Sequence, residues 1–231
     1  MRVFAIGDLH LSFGSGVDKP MDVFGEAWRN HPAHLARAWR AAVGEEDLVL
    51  IPGDISWALH LADAKPDLAF IGGLPGRKLL LRGNHDYWWT SLAQVRAALP
   101  PSAAALQNEA AAIGGFAIGG TRGWTLPGAD GAQAEADARI YRRELLRLEL
   151  SLSRMGPGRR IAMLHYPPLD RQCRDTEVTA LLERYGVEIA VYAHLHGPAH
   201  RSAFNGVHNG VRYALVSSDY LGFSPLLLAE A

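Results

Sequence analysis

Cysteine is almost absent from this sequence, which has one, Cys173, among 231 residues. A single cysteine excludes an internal disulfide, so nothing suggests an oxidising compartment. Long apolar runs are also missing, since none approaches the ~20 residues that a membrane span needs. The first residues lead directly into a strand-like stretch, without the basic region and longer apolar segment of a signal peptide. We therefore expect a soluble, cytoplasmic protein with no membrane partner.

Excess charge of either sign is absent as well, because 23 basic and 24 acidic side chains give a formal net charge of −1. A protein with this balance does not coat nucleic acid by bulk charge, although a local basic patch stays compatible with it. Hydrophobic residues, by contrast, make up 48% of the chain, enough for a sizeable core. Since no repeat or linker interrupts the sequence, we predict a single domain over residues 1–231.

Short apolar runs of Val, Ile and Leu recur along the chain, and five of them end just before a side chain that can bind a metal. Runs of this length, bounded by Gly or Pro, are typical of buried strands. Helix-like stretches lie between them, at residues 24–43, 61–71, 91–99, 132–155 and 176–185. This alternation predicts an α/β layered domain. The turn dipeptides Asn205-Gly206 and Asn209-Gly210 predict an antiparallel part near the end of the chain. Residues 111–121 predict another strand with its turns, so the sheet content should be mixed.

The five potential metal-binding blocks follow strand-like runs, where open α/β sheets place their sites. They read Asp8-Leu9-His10, Gly53-Asp54, Gly83-Asn84-His85-Asp86, His165 and His194-Leu195-His196. Carboxylate, amide and imidazole donors together suit manganese, iron or zinc better than calcium or magnesium, and a carboxylate such as Asp54 can bridge two ions. Each block alone is weak evidence. All five in order predict a site for two divalent cations, with manganese expected first and iron or zinc as alternatives.

The order of these blocks, from Asp8 to His196, resembles the calcineurin-like metallophosphoesterases, and the block from Gly83 to Asp86 is its most specific part. The resemblance implies a four-layer α/β/β/α sandwich with two central mixed β-sheets. It also implies that His85 lies beside the metals without binding them and that Asp86 orients it. One metal would be held by Asp8, His10 and His196, the other by Asn84, His165 and His194, with Asp54 bridging both.

One departure from the family pattern is visible. Ala193 stands where the family usually has Gly before the last His-X-His. Alanine is small, so we expect little consequence unless the position needs a positive φ.

These observations lead to the hypothesis of a phosphohydrolase that cleaves a small phosphate mono- or diester. A metal-bridging hydroxide would attack phosphorus in line. His85 would give a proton to the leaving oxygen, and Asp86 would hold its tautomer, which makes these two the candidate catalytic residues. The motifs do not identify the leaving group.

Three alternatives keep the same fold. A nuclease is disfavoured by the near-neutral charge but favoured by an arginine-rich segment at 139–160, part of a predicted basic helical cap element at 122–160. A pyrophosphatase of lipid precursors, similar to UDP-diacylglucosamine hydrolase, is disfavoured because such enzymes usually have Arg where His85 stands. A non-catalytic binding scaffold is disfavoured because all the metal-ligand candidates are present.

Overall fold

The first half of the chain builds one five-stranded sheet and the helices that cover it. In this computed structural model, which describes residues 1–128, 134–169 and 172–231, strands and helices alternate as the apolar runs predict. They are β1 Arg2–Ala5, α1 His31–Ala42, β2 Leu48–Pro52, α2 Leu61–Gly72, β3 Arg77–Leu81, α3 Leu92–Ala98 and β4 Ala103–Ala105. β1 to β4 pair in parallel in this order, and the last strand, β11 Leu226–Glu230, pairs antiparallel with β1.

The second half builds a six-stranded sheet in the order β5-β6-β7-β8-β10-β9. Its inner pairs are parallel, whereas β5 and β9 close the two edges as antiparallel hairpin strands. The elements are β5 Ala111–Ile113, β6 Phe116–Thr121, α4 Ala134–Ser153, β7 Arg159–Leu164, α5 Glu177–Arg184, β8 Ile189–Tyr192, β9 Gly206–His208 and β10 Val211–Leu215.

Alternation of side chains along the strands divides the core into three apolar clusters. Leu48 and Leu50 of β2 enter the cluster between the two sheets, while Val49 and Ile51 enter the cluster under α1 to α3. This follows from the two-residue period of a strand. In the second sheet, Ile189 of β8 lies in the cluster between the sheets, whereas Ala190 and Tyr192 lie in the cluster under α4 and α5. The predicted four-layer α/β/β/α sandwich with two mixed sheets is therefore confirmed.

Several element boundaries differ from the sequence expectation. The helix predicted from residue 24 begins at His31, because Gly25 and the left-handed Asn30 (φ 51°) interrupt the chain into short 3-10 turns. The strand with its turns predicted at 111–121 forms two short strands joined at Gly114-Gly115, both of which have positive φ. The hairpin predicted at Asn209-Gly210 is confirmed by the antiparallel pairing of β9 with β10.

Helix α4 carries most of the segment predicted as a basic cap. Tyr141, Leu148 and Leu152 pack it onto the second sheet, so it forms part of the outer helical layer. Residues 129–133 of that segment and 132–133 of the predicted helix lie outside the described residues. Among the described helices, none has the length and apolar character needed to cross a membrane. The cap role and the cytoplasmic location stay predictions.

Candidate metal centre and active site

The side chains singled out by the motifs converge because their strands are parallel and end at the same edge of the two sheets. Asp8, Asp54 and Asn84 follow β1, β2 and β3, while His165 and His194 follow β7 and β8. In one group, the Nε2 atoms of His10 and His196 are 3.3 Å apart, and Asp8 Oδ2 lies 3.7 Å from His196 Nε2. These three residues offer ligand atoms that all lie within 4.8 Å of one another.

A second group lies beside the first around the amide oxygen of Asn84. His165 Nε2 is 2.6 Å and His194 Nδ1 is 3.0 Å from Asn84 Oδ1. Asp54 joins the two groups, since its Oδ2 is 3.9 Å from His10 Nε2 and 3.5 Å from His165 Nε2. The geometry thus gives a carboxylate between two sets of donors.

The backbone of the site is held in a sparsely populated conformation. Asp8, His10, Asp54 and His194 all have φ between 46° and 75°, which costs of order 1 kcal/mol or more for each non-glycine residue. Cross-loop hydrogen bonds maintain it, including Asp8 N to Gly53 O at 2.9 Å and His194 N to Asp8 Oδ2 at 2.8 Å. Such strain is commonly retained where a loop must aim functional side chains.

Close packing of the two loops depends on small residues. A Cβ on Gly53, whose φ is +92°, would lie 2.6 Å from the Cα of Gly83. Ala193, the departure noted in the sequence, is not among the residues with positive φ and is fully buried. Its side chain therefore introduces no left-handed strain.

The chemistry of the Asn84 group fits a cation. His165 Nδ1 donates to the carbonyl of Pro52 at 3.0 Å, and burial lowers the pKa of His165 to about 3. The ring is therefore neutral near pH 7, and its Nε2 presents a lone pair. That lone pair faces Asn84 Oδ1, another acceptor, at 2.6 Å. Two acceptors at this distance repel each other unless a positive charge binds both.

Burial also makes a nearby positive charge favourable for Asp8, Asp54 and His194. Desolvation, together with the nearby charge of Asp54, raises the pKa of Asp8 to about 7, although His196 opposes the shift. Burial also raises the pKa of Asp54, and it lowers the pKa of His194 to about 3. Asp8 Oδ1 is buried and has no hydrogen-bond partner among the residues that the structure describes. Buried carboxylates beside neutral imidazoles are the arrangement that cations stabilise.

His85 lies at the rim of the centre rather than among its donors. Its backbone N–H donates to Asp54 Oδ1 at 2.8 Å, and its ring lies 6.0 Å from that of His10 and 4.5 Å from that of Trp57, measured between centroids. The side chain is only half-buried. Its side chain also lines a cleft beside His10.

Asp86 has different partners from those expected. Its Oδ1 accepts from the N–H groups of Ile55 and Ser56 and from Trp88 Nε1, and its Oδ2 accepts from Gly83 N. In the described part of the chain no hydrogen bond joins it to the His85 ring. The expectation that Asp86 orients the imidazole is corrected, because its hydrogen bonds come from loop N–H groups and the Trp88 indole instead. Asp86 is a positioning residue that ties the Asp54 loop to the Asn84 loop.

Comparison with known proteins decides the family. The family model described as calcineurin-like phosphoesterase matches residues 1–198. This chain belongs to that family. The family implies divalent metal ions. Two sets of side chains in the described residues could hold one, namely Asp8, His10 and His196, and Asp8, Asp54 and His165.

Two phage proteins resemble parts of this phosphoesterase. The gene 66 protein of Mycobacterium phage D29 is 39% identical over 85 residues, 37% of this chain and 40% of the phage protein. The gene 66 protein of Mycobacterium phage L5 is 46% identical over 56 residues, 24% of this chain and 27% of its own. The match thus spans less than half the length of these relatives.

Two solved structures share the fold over nearly all of both chains. Phosphopantetheinyl hydrolase from Mycobacterium tuberculosis has a TM-score of 0.62 at 15% identity, covering 100% of this chain and 96% of its own. A protein of unknown function from Aquifex aeolicus has a TM-score of 0.52 at 13% identity, covering 98% and 95%. At this identity the likeness concerns the fold alone.

The structure adds one carboxylate that the motifs of this phosphoesterase do not reveal. Asp219 Oδ1 accepts from His196 Nδ1 at 2.9 Å, and its Oδ2 accepts from Gly197 N at 3.1 Å. His200 Nε2 lies 3.3 Å from the same carboxylate. Although burial alone would lower the pKa of His196, Asp219 and the nearby carboxylates raise it above its usual value. Asp219 follows β10 after two serines, and no sequence motif marked it.

An aromatic cleft of about 470 Å³ opens beside His10 and His85. Trp57 stacks on His10 with ring centroids 4.8 Å apart, and Phe24 and Trp28 also line the cleft. Trp88 and Trp89, which also follow a motif, are buried in the core instead. The phosphoesterase thus offers an apolar surface next to its donor groups.

Proposed function

We propose that this protein is a dinuclear metal-dependent phosphohydrolase that cleaves a small phosphate mono- or diester. The observation that carries the proposal is the position of Asp54, whose carboxylate lies within 4 Å of donors in both groups. A carboxylate so placed can bridge two cations. The family match supports the phosphoester chemistry.

The ligand sets follow the two groups. Asp8, His10 and His196 would hold one divalent cation, and Asn84, His165 and His194 would hold the other. When bound, such cations supply an activated water as nucleophile and neutralise charge on the phosphate oxygens. Mixed oxygen and nitrogen donors suit manganese, iron and zinc, and we propose manganese first, with iron and zinc as alternatives.

The protein's own groups prepare the site in three ways. The Pro52 carbonyl fixes the tautomer of His165, and Asp219 does the same for His196, so both rings direct Nε2 into the centre. Asp86 holds the two loops together through their N–H groups. His85 faces the cleft and donates a proton to the leaving oxygen.

The aromatic cleft favours a leaving group with an apolar or ring-shaped part. The half-buried Trp57 and the exposed Phe24 line this cleft, and aromatic rings of this kind can stack on such a group. Because this surface is small and the chain has near-zero net charge, a small ester fits better than a long nucleic acid. A nuclease remains the alternative that diester cleavage would favour.

The test is hydrolysis of a matched chromogenic phosphate monoester and diester after chelation and re-addition of manganese. We expect cleavage that depends on the added metal, and about two metal ions per chain by elemental analysis. Asp54→Asn, purified in parallel, controls for a contaminating phosphatase and should be inactive. Bound metal without cleavage of either ester would contradict this substrate class, and absence of both metal and cleavage would favour the binding scaffold.

A further inference from the structure

A second cleft, of about 200 Å³, lies at the strand ends and carries four arginines. We define the arginine cleft by Arg82, Arg122, Arg143 and Arg147. Arg82 follows β3 directly and Arg122 follows β6 directly, so both come from the sheet edge that carries the metal centre. Arg143 and Arg147 are four residues apart on α4, which places them on one face of that helix.

The arginine cleft holds more positive than negative charge. Glu144 is its one carboxylate in the described part of the chain, and it is almost fully buried. It accepts from Arg147 Nη1 at 2.6 Å and from Thr121 Oγ1 at 2.6 Å, and it lies 3.5 Å from Arg122 Nη2. Four guanidinium groups against one carboxylate give a local charge of about +3, since arginine is always protonated.

Two of the arginines have no anionic partner among the described residues. Neither Arg82 nor Arg143 takes part in an ion pair there, and Arg82 Nε is buried without any hydrogen-bond partner. A buried N–H without an acceptor costs of order 1–3 kcal/mol. Such a group, in a cleft of like charges, is stabilised when an anion enters.

The arginine cleft borders the metal centre through the backbone. Arg82 is two residues before Asn84, and the carbonyl of Arg122 accepts from His165 N at 3.1 Å and from Tyr166 N at 2.9 Å. The two sites share no lining side chain, so the arginine cleft is a separate compartment. Because the two sites adjoin along this backbone, one molecule can place its ester at the metals and a second group in the arginine cleft. Because they are separate compartments, that second group is not the one that is cleaved.

We propose that the arginine cleft binds a second phosphate group of the substrate, one that is not hydrolysed. This inference rests on the proposed function and specifies its substrate class as esters that carry at least two phosphates. Phosphate matches the cleft because it is dianionic and accepts paired N–H groups from planar guanidinium forks. The aromatic cleft, which is lined by His10, then accommodates an apolar part of the same substrate.

The first experiment compares mono- and bisphosphates of an alkanediol series of increasing chain length, with the metal-loaded protein. For the best-fitting length, we expect kcat/KM to be about tenfold higher for the bisphosphate, mainly through KM. This ratio corresponds to about 1.4 kcal/mol. In the double variant Arg82→Gln with Arg143→Gln, the ratio should fall close to one. Arg142→Gln is the matched control, because Arg142 neighbours Arg143 on α4 but lines a different surface, and it should keep the ratio.

The second experiment measures binding directly, by calorimetric titration of the metal-loaded protein with inorganic phosphate. We expect two binding events in the wild type and in Arg142→Gln, and one in the double variant. A wild type with a single phosphate site would contradict the proposal. So would two sites in the double variant.

The two proposals fail in different ways. If the wild type binds metal yet cleaves neither member of the series, the proposed function is contradicted for these esters, and calorimetry alone decides on the arginine cleft. If both members are cleaved with equal efficiency at every length, the phosphoesterase activity stands and the second-phosphate site is wrong.

Discussion

Single side chains decide whether the donors of this site are usable. His196 can offer Nε2 to a cation only while its Nδ1 carries the proton, and the hydrogen bond to Asp219 ensures this. Asp219, the acceptor of this bond, is 23 positions further along the chain and follows another strand, β10. The site therefore depends on a carboxylate that is not itself a ligand candidate.

Removing that carboxylate should weaken metal binding. We expect Asp219→Ala to reduce the affinity for the metal at the Asp8, His10 and His196 group by about 10–100-fold, the usual effect of losing such a partner. The metal affinity of Asp219→Asn, which keeps an acceptor oxygen but not the negative charge, should lie between those of the wild type and Asp219→Ala. Competition with a chromogenic chelator measures the affinity. Asp175→Asn, an exposed carboxylate paired with His208, should match the wild type, and an Asp219→Ala protein with unchanged affinity would contradict this role.

His85 should matter in proportion to how poor the leaving group is. A proton is needed when an alkoxide departs but hardly when a nitrophenolate does, so His85→Ala should lose about 10²–10⁴-fold on alkyl esters and far less on aryl esters. The measurement is the slope of log kcat against leaving-group pKa, with metal content determined for each variant. Tyr87→Phe, beside His85 at the surface, is the control. Equal losses on all esters would contradict proton donation.

The residues that the sequence could reveal are those in compact motifs. Asp8, Asn84 and His194 stand in short blocks at strand ends, and the structure brings them together; their roles as ligands stay predictions. Asp219 was missed because it stands alone, and its function arises only when β10 is placed beside β8. The partners of Asp86 were mispredicted because backbone N–H groups leave no trace in sequence.

At the scale of elements, apolar periodicity predicted the buried strands but not those at the edges. β4 is three alanines and β11 reads Leu-Leu-Leu-Ala-Glu, so neither has the β-branched or aromatic residues that mark a central strand. The start of α1 was placed too early because the 3-10 turns before it are also apolar. Long-range pairing, rather than local preference, creates these elements.

Asp47, which directly precedes β2, also stabilises the first sheet through contacts that are distant in sequence. It accepts from the N–H of Arg2 at 2.8 Å, from that of Gly44 at 2.9 Å and from the Arg2 guanidinium. Burial alone would raise its pKa, but these bonds lower it below the usual value. A depressed carboxyl pKa stabilises the fold above the unfolded value near 4, and this contribution is lost as pH falls through the folded value.

We therefore expect Asp47→Asn to lower the free energy of unfolding by about 1–2 kcal/mol at pH 7, a figure discounted because Arg2 is partly exposed. Urea unfolding at a series of pH values measures it. The difference from wild type should begin to shrink below about pH 4, where the unfolded chain takes up the proton, and should vanish once pH has fallen through the lower pKa of Asp47 in the folded protein. Glu46→Gln, an exposed neighbour, should show no difference, and a pH-independent loss would contradict the charge argument.

At the scale of the whole molecule, the metal centre works against the stability of the cation-free fold. Three buried carboxylates, Asp8, Asp54 and Asp86, have raised pKa values because burial disfavours their charged form. Four residues of the same region have left-handed backbones. The rest of the sandwich must offset these costs until cations bind, since charge in a buried site is stabilised by opposite charge.

Chelation should consequently lower the melting temperature. A cation present at about 100 times its Kd stabilises the folded state by about 2.7 kcal/mol, which for a domain of this size shifts Tm by about 5–10 °C. Differential scanning calorimetry with and without a chelator, followed by re-addition of manganese, measures the shift. The Asp54→Asn variant distinguishes the cost of the buried charge from the gain on cation binding. It removes the buried charge, and with it the carboxylate that lies between the two groups of metal donors. Its cation-free Tm should exceed that of the wild type, while its gain on adding manganese should be smaller. If chelation leaves Tm unchanged, or if Asp54→Asn lowers the cation-free Tm, then the strand-end carboxylates do not limit stability in the way inferred from their burial.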